Sequence, residues 1–119
     1  MTALPLPIGA EATFSKTVGE SDVYLFAGIT GDLSPNHVDE AYMRGSAYGR
    51  RIAHGALLVG YMSNCSTAIL AGRPSPGETP VSLGYDRIRF VAPVFIGDTI
   101  TVTYRVESGD AERRETRAS

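Results

Sequence analysis

Asp32 and His37 are the two side chains whose types and placement suggest acid–base chemistry. A carboxylate and an imidazole that meet at one point can hold a water molecule and remove its proton. A spacing of five residues fits neither one face of a helix nor one face of a strand, so the two converge only across irregular backbone. Pro35 supplies that irregularity, because it lacks an N–H and pushes Ser34 towards extended geometry. An Asp in a turn after a helix is also a common capping residue, so spacing alone leaves both interpretations open.

His54 and Gly55 stand at the start of a long apolar segment that is predicted to be helical. The first N–H groups of a helix are free and carry partial positive charge. Because Gly55 has no Cβ, a ligand carbonyl could approach its N–H closely, and such contact would stabilise a developing oxyanion. The alternative is that Gly55 permits a tight turn or close packing and that His54 is a buried structural histidine.

Ser63 lies eight residues beyond Gly55, about two helical turns along the same segment. A polar side chain in an uncharged helix is expected to form a hydrogen bond. Its partner could be the backbone of its own helix, or it could be a group in the active site such as Asp32.

Patterns along the chain predict the elements that must position these residues. A short strand is predicted over residues 12–18, and a helix begins at Ser21-Asp22 and ends at Gly31. Residues 32–37 are predicted to form a loop, and Asp39 to cap a second short helix running towards Tyr48. Residues 55–71 contain no charge, which predicts a helix buried on all sides.

Two strands are predicted after this helix. Residues 81–91 alternate with a change of phase, which predicts a strand with a bulge near Asp86 and Arg87. Residues 100–106 alternate cleanly after a turn at Gly97-Asp98, as a half-buried antiparallel strand does. The predicted fold class is therefore α+β, with an antiparallel sheet wrapped around a long central helix. A small α/β roll of different topology stays open on these patterns alone.

Composition sets the broad class. At 119 residues, the chain is expected to be one domain over 1–119. A net charge of -2 gives no nucleic-acid footprint, and we expect no membrane span or signal peptide. The one cysteine, Cys65, rules out an intrachain disulfide and favours a cytoplasmic location. We expect Cys65 to be structural.

The run from Phe26 to Asp39 (FAGITGDLSPNHVD) resembles the signature of the MaoC-like hydratases, a hot-dog-fold family. That signature has Gly-Asp, any residue, usually Asn at the next position, then Pro, any residue, His, any residue, and Asp or Glu. Ser34 stands at the position that is usually Asn. Further blocks match in order between Val23 and Val106, namely Tyr48-Gly49, Ile52-Ala53-His54-Gly55, Ser63, Phe90, Pro93-Val94 and Gly97-Asp98.

The resemblance implies a hot-dog fold and an (R)-specific enoyl-CoA hydratase, a hydro-lyase that adds water to trans-2-enoyl thioesters. Asp32 and His37 would bind the water, the Gly55 N–H would bind the thioester oxygen, and Ser63 would orient the pair. The family needs no metal or redox cofactor. The implied partners are an acyl-CoA or acyl-carrier-protein substrate and a second copy of the chain, in a homodimer or larger assembly.

Residues 107–119 are polar, and family domains continue with further strands, so we expect this chain to be a partial domain that lacks C-terminal strands. Two other functions stay open. One is a hot-dog acyl-CoA thioesterase, against which the ordered Asp32, His37 and His54-Gly55 blocks argue. The other is a catalytically silent subunit that binds acyl-CoA or an acyl carrier.

Overall fold

The computed structural model describes residues 6–71 and 77–119. The chain divides into two compact units. We call Ser15–Tyr61 with Arg89–Ile100 the helical unit, and the described residues of Met1–Phe14, Met62–Ile88 and Thr101–Ser119 the sheet unit. The elements in chain order are β1 (Glu11–Thr17), α1 (Glu20–Thr30), α2 (Pro35–Val38), α3 (Glu40–Arg44), α4 (Gly55–Ile69), β2 (Thr99–Asp110) and β3 (Glu115–Ala118). None of the helices in these described ranges has the length and apolar character that a membrane crossing needs.

The three strands form one sheet in the order β1-β2-β3. Hydrogen bonds join Ala10 to Val106 near one end of the β1–β2 pair and Val18 to Gly97 and Asp98 near the other, so these strands run antiparallel. Strand β3 also pairs antiparallel with β2. The predictions of β1, of β2 and of the turn at Gly97-Asp98 are therefore confirmed, and the φ of 100° at Gly97 explains the glycine in that turn.

The helices before the candidate site begin and end at residues suited to those positions. The Asp22 carboxylate accepts a hydrogen bond from the Gly19 N–H at 2.7 Å, so α1 begins one residue before the predicted start. Gly31 ends α1 with a φ of 80°, a left-handed conformation that glycine adopts readily. Asp39 caps α3 through the Tyr42 N–H at 2.9 Å, as predicted.

The segment between α1 and α3 is more ordered than the predicted loop, because Pro35–Val38 forms the short helix α2. Pro35 occupies its first turn, where a missing N–H costs nothing. The Ser34 hydroxyl accepts the Asn36 N–H at 3.4 Å and caps the turn. Pro35 therefore starts a short helix within the segment that was predicted to be a loop.

Helix α4 confirms the predicted helix at 55–71 in position but not in its burial. Leu57, Cys65 and Ile69 are buried, whereas Gly60, Ser63 and Ala68 on the opposite face are exposed. The helix is buried on one face, so the absence of charge did not indicate burial on all sides. Burial raises the pKa of the Cys65 thiol, which fits the predicted structural role.

The predicted strand over residues 81–91 is wrong for the described chain. This stretch forms no strand, and its apolar side chains are exposed, for example Val81 at 71% and Leu83 at 74%. A strand needs a neighbour to satisfy its backbone groups. The described sheet consists of β1, β2 and β3, and residues 81–91 are not part of it.

The polar tail, which was expected to lack strands, extends β2 to Asp110 and then returns as β3. Residues 111–114 form the turn, with a positive φ of 54° at Arg114. The register pairs Asp110 with Glu115 and Gly109 with Thr116, and it shifts between Val106 and Ser108. Threonine and valine in these strands pack well on a pleated surface even where flanking residues are charged.

Candidate active site

His37 lies in α2, and its ring is held by a backbone group from a distant part of the helical unit. Its Nδ1 is 2.7 Å from the carbonyl oxygen of Ile52. A carbonyl oxygen can only accept, so Nδ1 carries the hydrogen in this bond. In the neutral ring Nε2 then has a free lone pair and can accept a proton.

Asp32 follows the left-handed Gly31, and the chain turns sharply there out of α1. The Asp32 N–H donates to the Thr30 hydroxyl at 3.2 Å, and its Oδ1 accepts the Ser34 N–H at 3.3 Å. A carboxylate oxygen of Asp32 lies within 4.8 Å of a ring nitrogen of His37. The structure therefore brings the two predicted residues together, at a separation that one water about 3 Å from each could bridge.

His54 lies in the same cluster and is the most buried of its three members, with 2% of its surface exposed. Its ring stacks on that of His37 with centroids 3.7 Å apart, and its Nε2 is 3.0 Å from the Asp32 carbonyl oxygen. The sequence pointed to His54 only as a neighbour of Gly55. Its contacts with the other two residues depend on tertiary packing that no spacing rule indicates.

Donor atoms of Asp32, His37 and His54 all lie within 4.8 Å of one another, so a metal ion has to be considered. The lone pairs of ring nitrogens lie in the ring plane, and the two rings are inclined by only 26°. They therefore point side by side rather than towards one centre, and one nitrogen of each ring already faces a carbonyl oxygen. This set suits hydrogen bonding to a small molecule better than tetrahedral coordination. Activity without a metal stays a prediction.

The segment from Arg51 to His54 holds the cluster in place. The Ile52 N–H donates to the Asn36 carbonyl at 3.0 Å, and the Ala53 N–H donates to the Val94 carbonyl at 2.7 Å. The Ile52 carbonyl therefore accepts a hydrogen bond from the His37 ring, and the Ile52 N–H donates one to α2. The backbone around His37 and the ring of His37 share this one anchoring residue.

Arg51 ties the same segment to two helices. Its guanidinium pairs with Glu20 of α1 at 2.8 Å and with Glu40 of α3 at 2.6 Å, and it donates to the Tyr24 hydroxyl. The hydrogen bond with Glu40 raises the pKa of Arg51, so the group stays cationic. A planar guanidinium with several donors suits such a three-way contact better than a lysine would.

Gly55 is the first residue of α4 and lines a cleft of about 310 Å³ together with His37. A Cβ at Gly55 would lie 2.7 Å from two ring carbons of Phe90, which also lines the cleft. The N–H of a first helical residue has no acceptor within its own helix. The predicted neighbourhood of Gly55 and His37 is thus observed. The role of the Gly55 N–H as an oxyanion donor stays a prediction.

Ser63 belongs to the sheet unit, and its residue is exposed. Its carbonyl accepts hydrogen bonds from the Ser66 hydroxyl at 2.7 Å and from the Thr67 hydroxyl at 3.3 Å. A role for its hydroxyl beside Asp32 stays a prediction.

Comparison with known protein families matches residues 6–118 to the family described as MaoC like domain. The chain belongs to the MaoC-like family. It is 44% identical over 99 residues to an (R)-specific enoyl-CoA hydratase of Rhodospirillum rubrum, covering 82% of this chain and 64% of that protein. It is 38% identical over 113 residues to a 3-hydroxybutyryl-CoA dehydratase of Methylorubrum extorquens, covering 94% of this chain and 68% of that protein.

A solved structure described as the (R)-hydratase from Aeromonas caviae involved in PHA biosynthesis superposes with a TM-score of 0.74 at 34% identity. The match covers 91% of this chain and 77% of that one. The predicted family and the α+β hot-dog fold, an antiparallel sheet plus a helix, are confirmed. The predicted hydro-lyase class agrees with the names of these MaoC-like relatives.

Arg51→Met is expected to lower the free energy of unfolding by about 1–2 kcal/mol, because it removes charge-assisted hydrogen bonds of a side chain that is only 13% exposed. The partly exposed glutamates limit the loss. The neighbouring Arg50→Met is the matched control. It removes only a guanidinium stacked 3.9 Å from the Phe95 ring and should cost less than about 1 kcal/mol. Urea unfolding measures both, and equal losses would contradict the role of Arg51.

Proposed function

We propose that this chain catalyses the reversible addition of water to a trans-2-enoyl thioester, giving an (R)-3-hydroxyacyl thioester. The observation that carries the proposal is the convergence of the Asp32 carboxylate on His37, whose Nδ1–H is committed to the Ile52 carbonyl. That arrangement leaves Nε2 as the proton acceptor beside a carboxylate. The names of the relatives from R. rubrum and M. extorquens support the same reaction.

In the proposed reaction, one water molecule donates a hydrogen bond to the Asp32 carboxylate and another to His37 Nε2. His37 removes a proton as the water oxygen bonds to Cβ of the substrate, and the π electrons move to the thioester oxygen. The imidazolium then returns the proton to Cα as the carbonyl re-forms. The atoms balance, since Cβ gains the hydroxyl and Cα gains the hydrogen of the same water. Such proton transfer contributes about 10²–10⁴-fold to the rate.

The negative charge on the thioester oxygen needs a donor in the cleft, and we assign that role to the Gly55 N–H. Gly55 is the first residue of α4, so its N–H is free of helical acceptors and lies at the positive end of the helix. Gly55 and His37 line the same cleft, which supports the assignment of donor and base to one bound molecule. Ser63 is proposed to orient Asp32 and His37.

The substrate is proposed to be an acyl-CoA or an acyl-carrier-protein thioester, in a cytoplasmic setting, with no metal or redox cofactor. One cysteine and the absence of any possible intrachain disulfide fit a reducing compartment. We also propose a homodimer or larger assembly. Support comes from residues 81–91, where alternating apolar side chains are exposed and Val91 reaches 92%.

Asp32→Asn is expected to reduce crotonyl-CoA hydration by about 10²–10⁴-fold, because the amide keeps the size of the side chain but lacks the negative charge that holds the water for proton transfer to His37. His37→Ala should cause a comparable loss, and the double variant should lose little more, since groups acting as one unit are not additive. The fall in enoyl absorbance measures hydration, and free thiol release reports the alternative thioesterase. Melting temperatures on the same samples control for folding.

A folded Asp32→Asn protein with full hydration activity would end this assignment. Thiol release in place of hydration would support the thioesterase. Neither signal, with the thioester still bound, would support a catalytically silent binding subunit.

Gly55→Ala is expected to reduce hydration by about 10–100-fold, because the new Cβ forces the Phe90 ring to move within the cleft and misplaces the bound thioester. The melting temperature should not fall, since alanine favours a helix over glycine. Gly60→Ala is the matched control in the same helix, because its Cβ would meet nothing within 4 Å. Similar activities of the two variants would argue against a thioester that lies close to Gly55.

The proposed assembly predicts a dimer or larger species by light scattering at micromolar concentration. Leu83→Lys should shift the chain towards monomer without unfolding it, because this side chain is 74% exposed and contributes little to the described core. Lysine at the exposed Ser63 on α4 serves as the comparison for added charge. A wild-type monomer at that concentration would refute the assembly.

A further inference from the structure

We propose that His54 is a positioning residue, which fixes the Asp32 backbone and the His37 ring in the arrangement that hydration requires. The catalytic part of this inference rests on the function proposed above, whereas its structural part can be tested without turnover. His54 does not touch the reacting atoms in the proposed mechanism. It acts through the two residues that do.

The first support is the hydrogen bond between His54 Nε2 and the Asp32 carbonyl oxygen at 3.0 Å. Because a carbonyl oxygen accepts, Nε2 must carry the hydrogen. The other nitrogen, Nδ1, is buried and has no hydrogen-bond partner among residues 6–71 and 77–119. A bare lone pair tolerates that environment better than an N–H would, so the neutral ring with hydrogen on Nε2 fits both nitrogens.

The second support is the contact between the two imidazoles. Their centroids are 3.7 Å apart and their planes are inclined by 26°, while Phe26 contacts the His54 ring at 4.8 Å and 59°. His54 is nearly fully buried, so its ring cannot move aside. The stacked face therefore limits rotation of the His37 ring about its side-chain bonds, and the Ile52 carbonyl selects its tautomer.

The third support is the place of His54 in the chain. It directly precedes Gly55, and its carbonyl accepts the Leu57 N–H at 3.1 Å at the start of α4. One residue thus connects the backbone of Asp32, the ring of His37 and the helix end that carries the proposed oxyanion donor. A histidine buried only to fill the core would not need to meet all three.

The chain has two histidines, so nitrogen-15 NMR of the rings can be assigned with one variant of His54. In the wild type, His37 is expected to show hydrogen on Nδ1 and His54 on Nε2. In His54→Leu, His37 should become a mixture of tautomers, because without the stacked face its ring is free to rotate away from the Ile52 carbonyl that selects the tautomer. Val23→Ala is the comparison, since it removes buried volume from the apolar core of the same helical unit and leaves both imidazoles in place, so it should leave the His37 spectrum unchanged.

Kinetics supply a second readout. His54→Leu is expected to lower kcat by about 10–100-fold, the usual effect of removing a group that orients an active residue, while KM for crotonyl-CoA changes less than about threefold. His54→Gln keeps a donor of similar reach and should recover part of kcat. Val23→Ala should lower the melting temperature but keep the kcat of the folded protein.

The outcomes separate this inference from the proposed function. A wild-type chain without hydration, in which His54→Leu still scrambles the His37 tautomer, removes the proposed function and keeps the positioning role. Hydrogen on Nδ1 of His54 in the wild type, or an unchanged His37 spectrum in His54→Leu, overturns the positioning role. Unchanged kcat in both His54 variants, or a loss confined to stability as in Val23→Ala, also overturns it.

Discussion

His37 donates its Nδ1 hydrogen to the carbonyl oxygen of Ile52, and this bond determines which ring nitrogen is left to accept a proton. Other contacts around the cluster hold His37 or Ile52 in position. The Ile52 N–H is bound to the carbonyl of Asn36 in the helix that carries His37, and Arg51 ties the adjacent backbone to α1 and α3. A base of defined tautomer therefore follows from backbone geometry and needs no charged neighbour to select it.

The cluster joins one exposed group to one buried group. Asp32 is exposed, which keeps its carboxylate hydrated, whereas His54 is buried and its Nδ1 has no hydrogen-bond partner in the described residues. His37 lies between these environments and is half-buried. A polar group buried without full hydrogen bonding costs free energy. The unpaired Nδ1 of His54 carries such a cost, while the other contacts of the ring hold Asp32 and His37 in place.

Much of the scaffold was predictable because it depends on local rules. Gly31 ends a helix through left-handed backbone, Asp39 caps the next helix, and Pro35 breaks the regular spacing between Asp32 and His37. These local rules allowed Asp32 and His37 to converge, and the resemblance to the MaoC-like signature favoured that interpretation over a capping role for Asp32. The ordered blocks around Asp32, His37 and Gly55 also predicted the MaoC-like family, which the family match confirmed.

What could not be predicted depends on partners distant in sequence. The alternation in residues 81–91 is typical of a strand, but this stretch is not part of the described sheet of β1, β2 and β3. β3 was missed because a polar tail carries little hydrophobic signal, and its pairing comes from backbone hydrogen bonds. The stacking of His54 on His37 joins residues seventeen positions apart. No local pattern could predict this contact, and the sequence indicated His54 only as the neighbour of Gly55 or as a buried structural histidine.

The most direct test of the central claim is the stereochemistry of crotonyl-CoA hydration carried out in D₂O. Asp32 and His37 lie within one small cluster, so the account predicts that hydroxyl and hydrogen reach the same face of the flat enoyl group. The product should carry one deuterium at C2, on the same face as a C3 hydroxyl of (R) configuration. Deuterium on the opposite face, or an (S) alcohol, would contradict addition of water by this pair.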